Sequence, residues 1–261
     1  MHDNVIEKAA QVLRNAELSG LPCEPIRSLF DEKDMAAAYA VKQCNHDIWH
    51  QQQRQKIGCK IGITSLAVQS FFGMTEPDYG FLYSDMQADS GGTISRGSLF
   101  KPKLEVEIGL VLGKDINLSK PTKANMIEAT AYFCPVFEVV DSRIENWDVQ
   151  AVDTIADNGS SGRFVIGNSK ALPGSVDINT CSMTLFSNTE VIASACALDS
   201  LGDPIEHAVW LATKLAAIGA PLKAGDILLT GALAPMIDVK AGGDYKAVFE
   251  GLGSVAISFG A

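Results

Sequence analysis

The first part of the chain has hydrophobic residues at helical spacing. Two stretches, residues 3–17 and residues 32–54, combine helix-forming residues with apolar positions that recur every three or four residues. The apolar members of the two faces are Val5, Ala9, Val12 and Leu13 in the first, and Met35, Tyr39, Val41, Ile48 and Trp49 in the second. The pattern predicts a helical lead-in segment over residues 1–55.

From Ile57 onward the pattern changes to that of β-strands. Short runs of β-branched and aromatic residues alternate with Gly, Pro, Asn and Asp, which is typical of a mainly β body. The predicted strands are IGCKIGIT, KLEVEIGLVLG, FCPVFEVVD, RFVIG, SMTLFSN, TEVIASAC, DILLTG, YKAVFEG and GSVAISF. Two predicted helices interrupt them, MIEATAYF near residue 126 and residues 204–219, which end in Gly219. The sequence thus predicts an α+β fold in which residues 56–261 form a β-rich domain, in one compact unit with the lead-in.

The composition narrows the classes of protein that the chain can belong to. Its 261 residues are ample for a sizeable core. The net charge of −10 argues against nucleic acids and anionic membranes as partners, because both require a basic surface. We expect no signal peptide and no membrane span, since the start is charged and no stretch of about 18 apolar residues occurs. The six scattered cysteines fit free thiols in a reducing cytoplasm.

Two glutamates interrupt the strand KLEVEIGLVL. Side chains alternate between the two faces of a strand, so Glu105 and Glu107 lie on the same face, about 7 Å apart. Two unpaired carboxylates repel each other, and their burial is costly. The solvated face of an edge strand would explain them, and so would a site that holds a positive charge.

A third glutamate favours a cation site. Glu138 interrupts another apolar, β-branched run, CPVFEVVDSR. Three carboxylates from core strands suit a hard divalent cation such as Mg²⁺ or Mn²⁺, with open positions left for water or substrate. Zinc is less favoured, because the four histidines lie in helical or terminal segments and form no H-E-x-x-H pattern.

A lysine between two glycines is the second unusual feature. In GCKIGITS, Lys60 lies in an apolar strand, and Gly58 and Gly62 allow a ligand or backbone to come close. A partly buried lysine can have its charge state tuned for proton transfer, or it can bind a substrate carboxylate. A surface lysine whose stem covers apolar residues is the alternative interpretation.

Two further segments have the composition of ligand-binding loops. In DTIADNGSSGRFVIG, residues 153–167, a loop rich in Asp, Asn, Gly and Ser precedes a strand, and such loops supply backbone donors and hydroxyls. In DILLTGALAPM a buried strand ends in a short apolar loop, with Thr230 at its mouth. Ordinary turn chemistry explains both segments equally well.

Seven segments, in order along the chain, carry a family resemblance. They are GCKIGITSLAVQ, EPDYGFL, KPKLEVEIGLVLG, FEVVDSRIENW, DTIADNGSSGRFVIG, LLTGALAPM and GLGSVAISF. From about residue 35 to the C-terminus the chain resembles the 2-keto-4-pentenoate hydratase / 4-oxalocrotonate decarboxylase family of the fumarylacetoacetate hydrolase superfamily. The combination of E-x-E with a later F-E-x-x-D-S-R is specific. The resemblance implies a mixed β-sandwich roll, preceded by an N-terminal helical segment, with catalysis in residues 56–261.

The resemblance also implies roles for individual residues. The Mg²⁺ or Mn²⁺ ligands would be Glu105, Glu107 and Glu138. The catalytic residues would be Lys60, Asp78, Ser160 and Ser161, and Thr230 would face the substrate. Two departures put the substrate in question more than the metal, since Gly159 replaces the usual loop alanine and Gly202-Asp203-Pro204 replaces Gly-His-Pro.

The reaction that the resemblance favours is hydration. Water would add to a 2-hydroxy-2,4-dienoate, such as 2-hydroxypenta-2,4-dienoate, and give a 4-hydroxy-2-oxo acid in aromatic meta-cleavage catabolism. A 4-oxalocrotonate-type decarboxylase is the alternative, since both reactions need the same electron sink. An acylpyruvate-type C–C hydrolase is less favoured, because His46 and His50 lack a partner glutamate in a matching motif. A non-catalytic oligomer that binds a cation for stability is the last alternative.

The resemblance finally implies an assembly. The protein would be a cytoplasmic homo-oligomer, a pentamer or a decamer, acting on a small 2-oxo or 2-hydroxy-dienoate acid. It would also associate with a neighbouring enzyme of its pathway. Neither nucleic acid nor membrane is expected as a partner.

Overall fold

A computed structural model describes residues 2–200 and 202–260. Its helices are α1 (His2–Ser19), α2 (Met35–Gln51), α3 (Leu66–Phe71), α4 (Lys123–Ala129), α5 (Ala151–Ala156), α6 (Ala197–Ser200) and α7 (Pro204–Ala217). Its strands are β1 (Lys56–Gly62), β2 (Asp78–Tyr83), β3 (Gln87–Asp89), β4 (Thr93–Ile94), β5 (Lys103–Leu112), β6 (Thr130–Val140), β7 (Ser161–Ile166), β8 (Ser182–Ser187), β9 (Glu190–Cys196), β10 (Ile227–Leu229), β11 (Ile237–Asp238), β12 (Asp244–Phe249) and β13 (Gly253–Phe259). None of these helices combines the length and apolar character that a membrane crossing requires.

Two mixed sheets form the body of the molecule. The first has the strand order β2-β1-β10-β5-β6-β7-β3, with β11 also paired to β5, and the second has the order β4-β13-β12-β8-β9. The long strands β5 and β6 pair antiparallel in the middle of the first sheet. This central position explains their nearly continuous apolar sequence, because both faces are covered. The predicted α+β class, with helices ahead of a mixed β body, is confirmed.

Helices cover the first sheet at one side. Helix α7 begins at Pro204, where the Asp203 carboxylate accepts the N–H of Ile205 at 2.8 Å. It ends at Ala217, and Gly219 follows with a φ of 76°. The cap and the glycine stop are those that the sequence predicts for residues 204–219.

The lead-in helices pack on a small core of their own. Helices α1 and α2 contact each other, and α2 also contacts α5. The buried side chains of this second core include Ala9, Leu13, Val41, Ile144, Val152 and Ile155. The lead-in therefore supports α5, the element that precedes the loop with the predicted serines. The boundary between residues 1–55 and 56–261 stays a prediction.

Two predictions of local structure are wrong. In MIEATAYF only the first residues are helical, because α4 ends at Ala129 and Thr130 already pairs with β5. The β-branched and aromatic residues that follow favour a strand. In DTIADNG, residues 153–156 belong to α5 rather than to a loop. Its start is capped reciprocally by Gln150 and Asp153, a signal that the composition of the segment obscures.

Candidate active site

Three glutamate side chains converge on one side of the β5–β6 pair. Glu105 and Glu138 are direct cross-strand neighbours, and Glu107 lies two residues further along β5. One carboxylate oxygen from each glutamate lies within 4.8 Å of the other two. Glu107 and Glu138 are fully buried. The solvated face of an edge strand is therefore excluded as an explanation for them.

These carboxylates need a positive charge. Glu107 Oε2 accepts the N–H of Gly231 at 2.6 Å, but its Oε1 and the Oε2 of Glu138 have no hydrogen-bond partner among the described residues. Burial, followed by the charge of Glu138, raises the pKa of Glu105 to about 7 and that of Glu107 well above its ordinary value. A hard divalent cation would take the place of the protons that these oxygens otherwise hold. The donor set therefore fits Mg²⁺ or Mn²⁺.

Lys60 is a buried cation beside this cluster. It lies on β1, only 4% exposed, with its Nζ 3.4 Å from Glu138 Oε1. Burial alone would lower the pKa of this ammonium group, but Glu138, Asp78 and the other two glutamates outweigh burial and raise the pKa. Lys60 is thus charged at neutral pH, and its interpretation as a surface lysine is excluded.

Asp78 lies next to Lys60 across the β1–β2 pair. It faces Gly62 in the register of the two strands, and a Cβ at Gly62 would collide with Asp78 Oδ1 and lie 3.2 Å from the Nζ of Lys60. The glycine is what permits the two side chains to meet there. Asp78 is 1% exposed, and neither of its oxygens has a hydrogen-bond partner in the described part of the chain.

A left-handed turn brings Ser160 to the site. Asn158, Gly159 and Ser160 all have positive φ angles, of 59°, 63° and 51°. The Ser160 hydroxyl donates to Asp157 Oδ2 at 3.1 Å, and Arg143 Nε lies 2.8 Å from the other oxygen of Asp157. Burial raises the pKa of Asp157 to about 6, against the opposing charge of Arg143.

A cavity of about 570 Å³ opens beside the glutamates. Its inner end holds Lys60, Asp78, Glu105 and Ser160. The rest of its wall is largely apolar and includes Val68, Phe72, Trp147, Val149, Leu233 and Met236. Lys60 is the one lysine or arginine along this wall within residues 2–200 and 202–260. The cavity therefore has a charged inner end and a neutral outer end.

Two predicted residues are not brought to this cavity. Ser161 lines a separate cavity on the other side of the turn, while its neighbour Ser160 lines the first. Thr230 is fully buried, and its hydroxyl donates to the carbonyl of Ile108 at 2.8 Å. Thr230 therefore braces β10 against β5, and the next residue, Gly231, holds Glu107.

Two features of the site, Asp157 and the apolar end of the cavity, have no clear signal in the sequence. Asp157 lies in the segment DTIADNGSSGRFVIG, but its role depends on its contact with Arg143, which is 14 residues away in the sequence. Phe72 follows the motif GCKIGITSLAVQ, whereas Trp147 and Met236 end the motifs FEVVDSRIENW and LLTGALAPM, and an apolar residue at such a place is more often part of the core. The available signal is a turn-forming neighbour, since Phe72 precedes Gly73 and Met236 follows Pro235.

The chain has clear relatives. Residues 72–259 match the fumarylacetoacetate (FAA) hydrolase C-terminal family. The chain belongs to the fumarylacetoacetate hydrolase family. It is 43% identical to the 2-keto-4-pentenoate hydratase 2 of Dechloromonas aromatica (strain RCB) over 253 residues, which cover 97% of each chain. It is 44% identical to the 2-keto-4-pentenoate hydratase of Burkholderia vietnamiensis (strain G4 / LMG 22486) over 257 residues, or 98% of each chain. The resemblance stated from the sequence is confirmed.

A solved structure has the same fold over the whole length of this family member. The 4-oxalocrotonate decarboxylase from Pseudomonas putida G7, complexed with magnesium and adipate, superposes with a TM-score of 0.93 at 30% identity. The match covers 99% of this chain and 98% of that one. The predicted fold of the fumarylacetoacetate hydrolase type is thereby confirmed.

Proposed function

We propose that this protein is a metal-dependent hydratase that adds water to a 2-hydroxy-2,4-dienoate and gives a 4-hydroxy-2-oxo acid. The hydratase names of relatives at 43% and 44% identity over nearly the whole chain support this reaction. They agree with the prediction made from the sequence. The preferred substrate is 2-hydroxypenta-2,4-dienoate, whose end distal to the carboxylate is an uncharged vinyl group.

The observation that supports this substrate most directly is the neutral outer end of the cavity. Lys60 lies at the inner end beside Glu138, and the outer wall is formed by side chains such as Phe72, Trp147 and Met236. A substrate with one carboxylate and an apolar tail matches this division. A second carboxylate at the tail would lie against apolar side chains and would find no lysine or arginine among the described residues that line this end, which is unfavourable.

The residues that would hold the cation are Glu105, Glu107 and Glu138. When bound, Mg²⁺ or Mn²⁺ would supply Lewis-acid polarisation of the substrate's carboxylate and adjacent oxygen. Gly231 orients Glu107 through its N–H, and β5 and β6 fix the other two glutamates by their register. The magnesium of the similar decarboxylase structure supports this part of the proposal.

Lys60 and Asp78 would move the protons. Hydration requires a proton at C5, the far carbon of the dienol, while the enol hydroxyl loses one, and then a proton at C3, while the water that adds at C4 loses one. The charged Nζ of Lys60 is the donor that the site offers, and the partnerless carboxylate of Asp78 is the acceptor. Ser160 would orient the substrate by its hydroxyl, which Asp157 holds in place.

Decarboxylation is the second candidate. The similarity to the 4-oxalocrotonate decarboxylase favours it, because that structure matches nearly the whole chain. The neutral outer end of the cavity opposes it, since 4-oxalocrotonate carries a second carboxylate. We therefore rank hydration first.

We also infer a homo-oligomer, either a pentamer or a decamer. Leu66 and Phe71 of α3 are 82% and 83% exposed, which supports burial of this helix against another copy. Light scattering gives the mass of the assembly directly. A monomer at micromolar concentration would contradict this inference.

The test is product identity. The Mg²⁺-loaded protein is incubated with 2-hydroxypenta-2,4-dienoate in ¹⁸O-water, and the product is analysed by mass spectrometry. We expect the mass of the substrate plus one labelled water, with the label at C4. Unchanged dienoate, while 4-oxalocrotonate loses carbon dioxide under the same conditions, would transfer the assignment to the decarboxylase.

A further inference from the structure

A second cavity, of about 490 Å³, lies on the opposite side of the turn at residues 158–161. It shares no lining residue with the active-site cavity. Asn158 and Ser161 line the second cavity, whereas Gly159 and Ser160 line the first. One strained turn thus forms part of the wall of both cavities. The volume is within the range of small-molecule sites.

Most charges around the second cavity are already paired. Arg54 lies 3.0 Å from both Glu17 and Asp85, and Arg143 lies 2.8 Å from Asp157. The carboxylate of a further lining residue, Asp141, accepts two backbone N–H groups at 2.8 Å each. These groups therefore have little capacity left for a ligand.

Two side chains of this cavity, Ser161 and Arg163, still have hydrogen-bond donors that a ligand could use. Ser161 is 1% exposed, and its hydroxyl has no partner among the described residues. The guanidinium of Arg163 donates to the carbonyl of Gly162 at 2.9 Å, and no described carboxylate lies within ion-pair distance of it. Ser161 and Arg163 both line this cavity, on either side of the irregularity at which β7 shifts its register against Val139 and Val140 of β6. Together they offer a hydroxyl and a fork of N–H donors to one anion.

The opposite wall is aromatic and apolar. Trp49 and Tyr83 enclose the guanidinium of Arg54, at 4.7 and 4.5 Å from their ring centroids. Leu99 and Phe100 continue this surface. Trp49, Leu99 and Phe100 give this wall an apolar part beside its paired charged groups, and that part suits the apolar body of a small ligand. We propose that the second cavity binds a small organic monocarboxylate with an apolar body, at a site distinct from the one that binds substrate.

The turn gives such a ligand a path to the active site. Asn158 exchanges two hydrogen bonds with the backbone of Phe81, at 2.7 and 2.9 Å. On the other side of the same turn, Gly159 packs on the Lys60 stem so closely that a Cβ there would lie 2.5 Å from its Cε. A ligand that holds Ser161 therefore acts on the residues that position Lys60. We expect it to change kcat without competing with substrate.

The binding test uses benzoate as the probe and benzamide as its neutral counterpart. Isothermal titration calorimetry is carried out on the Mg²⁺-loaded protein. Benzoate should bind at least about tenfold more tightly than benzamide, because only benzoate pairs with the guanidinium. Arg163→Gln should remove that tenfold preference. Lys246→Gln, which removes an exposed lysine of β12 away from both cavities, should leave it unchanged.

A variant of the active site distinguishes benzoate binding in the second cavity from binding in the active site. Lys60→Met alters the active site and should keep benzoate binding if the probe occupies the second cavity. Binding that is lost in Lys60→Met and kept in Arg163→Gln would overturn the proposal, as would equal affinity for benzamide or no binding at all. A change in the mass of the assembly caused by Arg163→Gln, without benzoate binding to the unaltered protein, would identify the face as a contact between copies. Since the readout is binding, none of these outcomes decides the hydratase reaction.

Discussion

At the scale of single residues, the position of Lys60 explains the chemistry of the site. Its Nζ is buried beside Glu138, and the surrounding carboxylates keep it protonated. A lysine whose pKa is raised is a poor base and a good partner for an anionic substrate, and it becomes a better proton donor when a cation neutralises the glutamates that raise its pKa. Asp78, without a hydrogen-bond partner in the described chain, is left as the acceptor.

Replacement of Lys60 tests this role. Lys60→Met keeps the length of the side chain but removes the charge and the proton, so kcat should fall by at least about a hundredfold. Divalent-cation binding should survive, because the lysine is not a ligand. Lys56→Met on the same strand is the control and should leave kcat nearly unchanged. A Lys60→Met variant with the kcat of the parent would remove Lys60 from the mechanism.

Replacement of a glutamate tests the cation site. Glu138→Gln removes a fully buried carboxylate of the cluster, so titration calorimetry with Mn²⁺ should show an affinity at least about tenfold lower. In the parent, affinity should rise as pH increases through about 7, since Glu105 loses its proton there and protons compete with the cation. Glu128→Gln removes an exposed carboxylate on α4 and is the control. Equal Mn²⁺ affinity in Glu138→Gln and its control would disprove the assignment.

At the scale of elements, the turn between α5 and β7 separates the active-site cavity from the second cavity. Its three left-handed residues include Ser160, a residue type for which such an angle is costly. The buried ion pair between Asp157 and Arg143 holds the turn in place. The strain is thus maintained by buried polar contacts rather than by local sequence preference.

Gly159 is the position at which this turn can be tested. Gly159→Ala adds a Cβ at a φ of 63° and places it 2.5 Å from Lys60 Cε. Gly242→Ala has nearly the same φ, 69°, with nothing within 4 Å of the added atom. Both variants should lose about 1 to 2 kcal/mol of unfolding free energy in urea. Only Gly159→Ala should also lose kcat, because only it displaces Lys60, and an equal loss of kcat in the two variants would contradict this account.

Some features of these elements could be predicted from the sequence, and others could not. Alternation along a strand is local, so Glu105 and Glu107 could be placed on one face from sequence alone. The facing of Glu105 and Glu138 depends on the register between β5 and β6, and no local signal gives that register. The separation of Ser160 from Ser161 depends on where β7 begins, which propensities do not resolve to one residue.

At the scale of the whole molecule, Lys42 joins the lead-in helices to the body. It projects from α2, is 2% exposed, and donates to the carbonyl of Tyr79 on β2 at 2.6 Å. Its Nζ lies 3.2 Å from the centroid of the Tyr79 ring. Burial lowers the pKa of Lys42 to about 7, although the charge of Asp78 opposes that shift.

This pKa predicts how stability depends on pH. An ordinary lysine has a pKa of about 10.4, so the unfolded chain holds the Lys42 proton more tightly than the folded one. The contribution of Lys42 to the unfolding free energy should therefore rise as pH increases from about 7 to about 10, by at most about 1.4 kcal/mol per pH unit. Urea unfolding of the parent and of Lys42→Met should show this as a growing difference. A difference that stays flat over that range would show that the shift is absent.

The arrangement of cavities lay beyond sequence reasoning. No motif connects the residues that line the second cavity, which are residues 17–20, 97–100 and 161–163 together with Trp49, Arg54, Tyr83, Asp85, Met86, Asp141, Arg143 and Asn158. The active site was easier to predict, because its charged residues interrupt apolar strands. Its apolar end could not be predicted, since Phe72, Trp147 and Met236 look like ordinary core residues in the sequence. The oligomer, the pathway partner and the cytoplasmic location stay predictions.

The central claim is hydration of a dienoate with a neutral tail. The most direct measurement gives the Mg²⁺-loaded protein equal concentrations of 2-hydroxypenta-2,4-dienoate and 4-oxalocrotonate and follows both products in one vessel. Water addition to the first should exceed carbon dioxide release from the second by at least about tenfold, a difference of about 1.4 kcal/mol, because the lining of the cavity offers the second carboxylate of 4-oxalocrotonate apolar contacts and no cationic partner. Carbon dioxide release that equals or exceeds water addition would contradict the account.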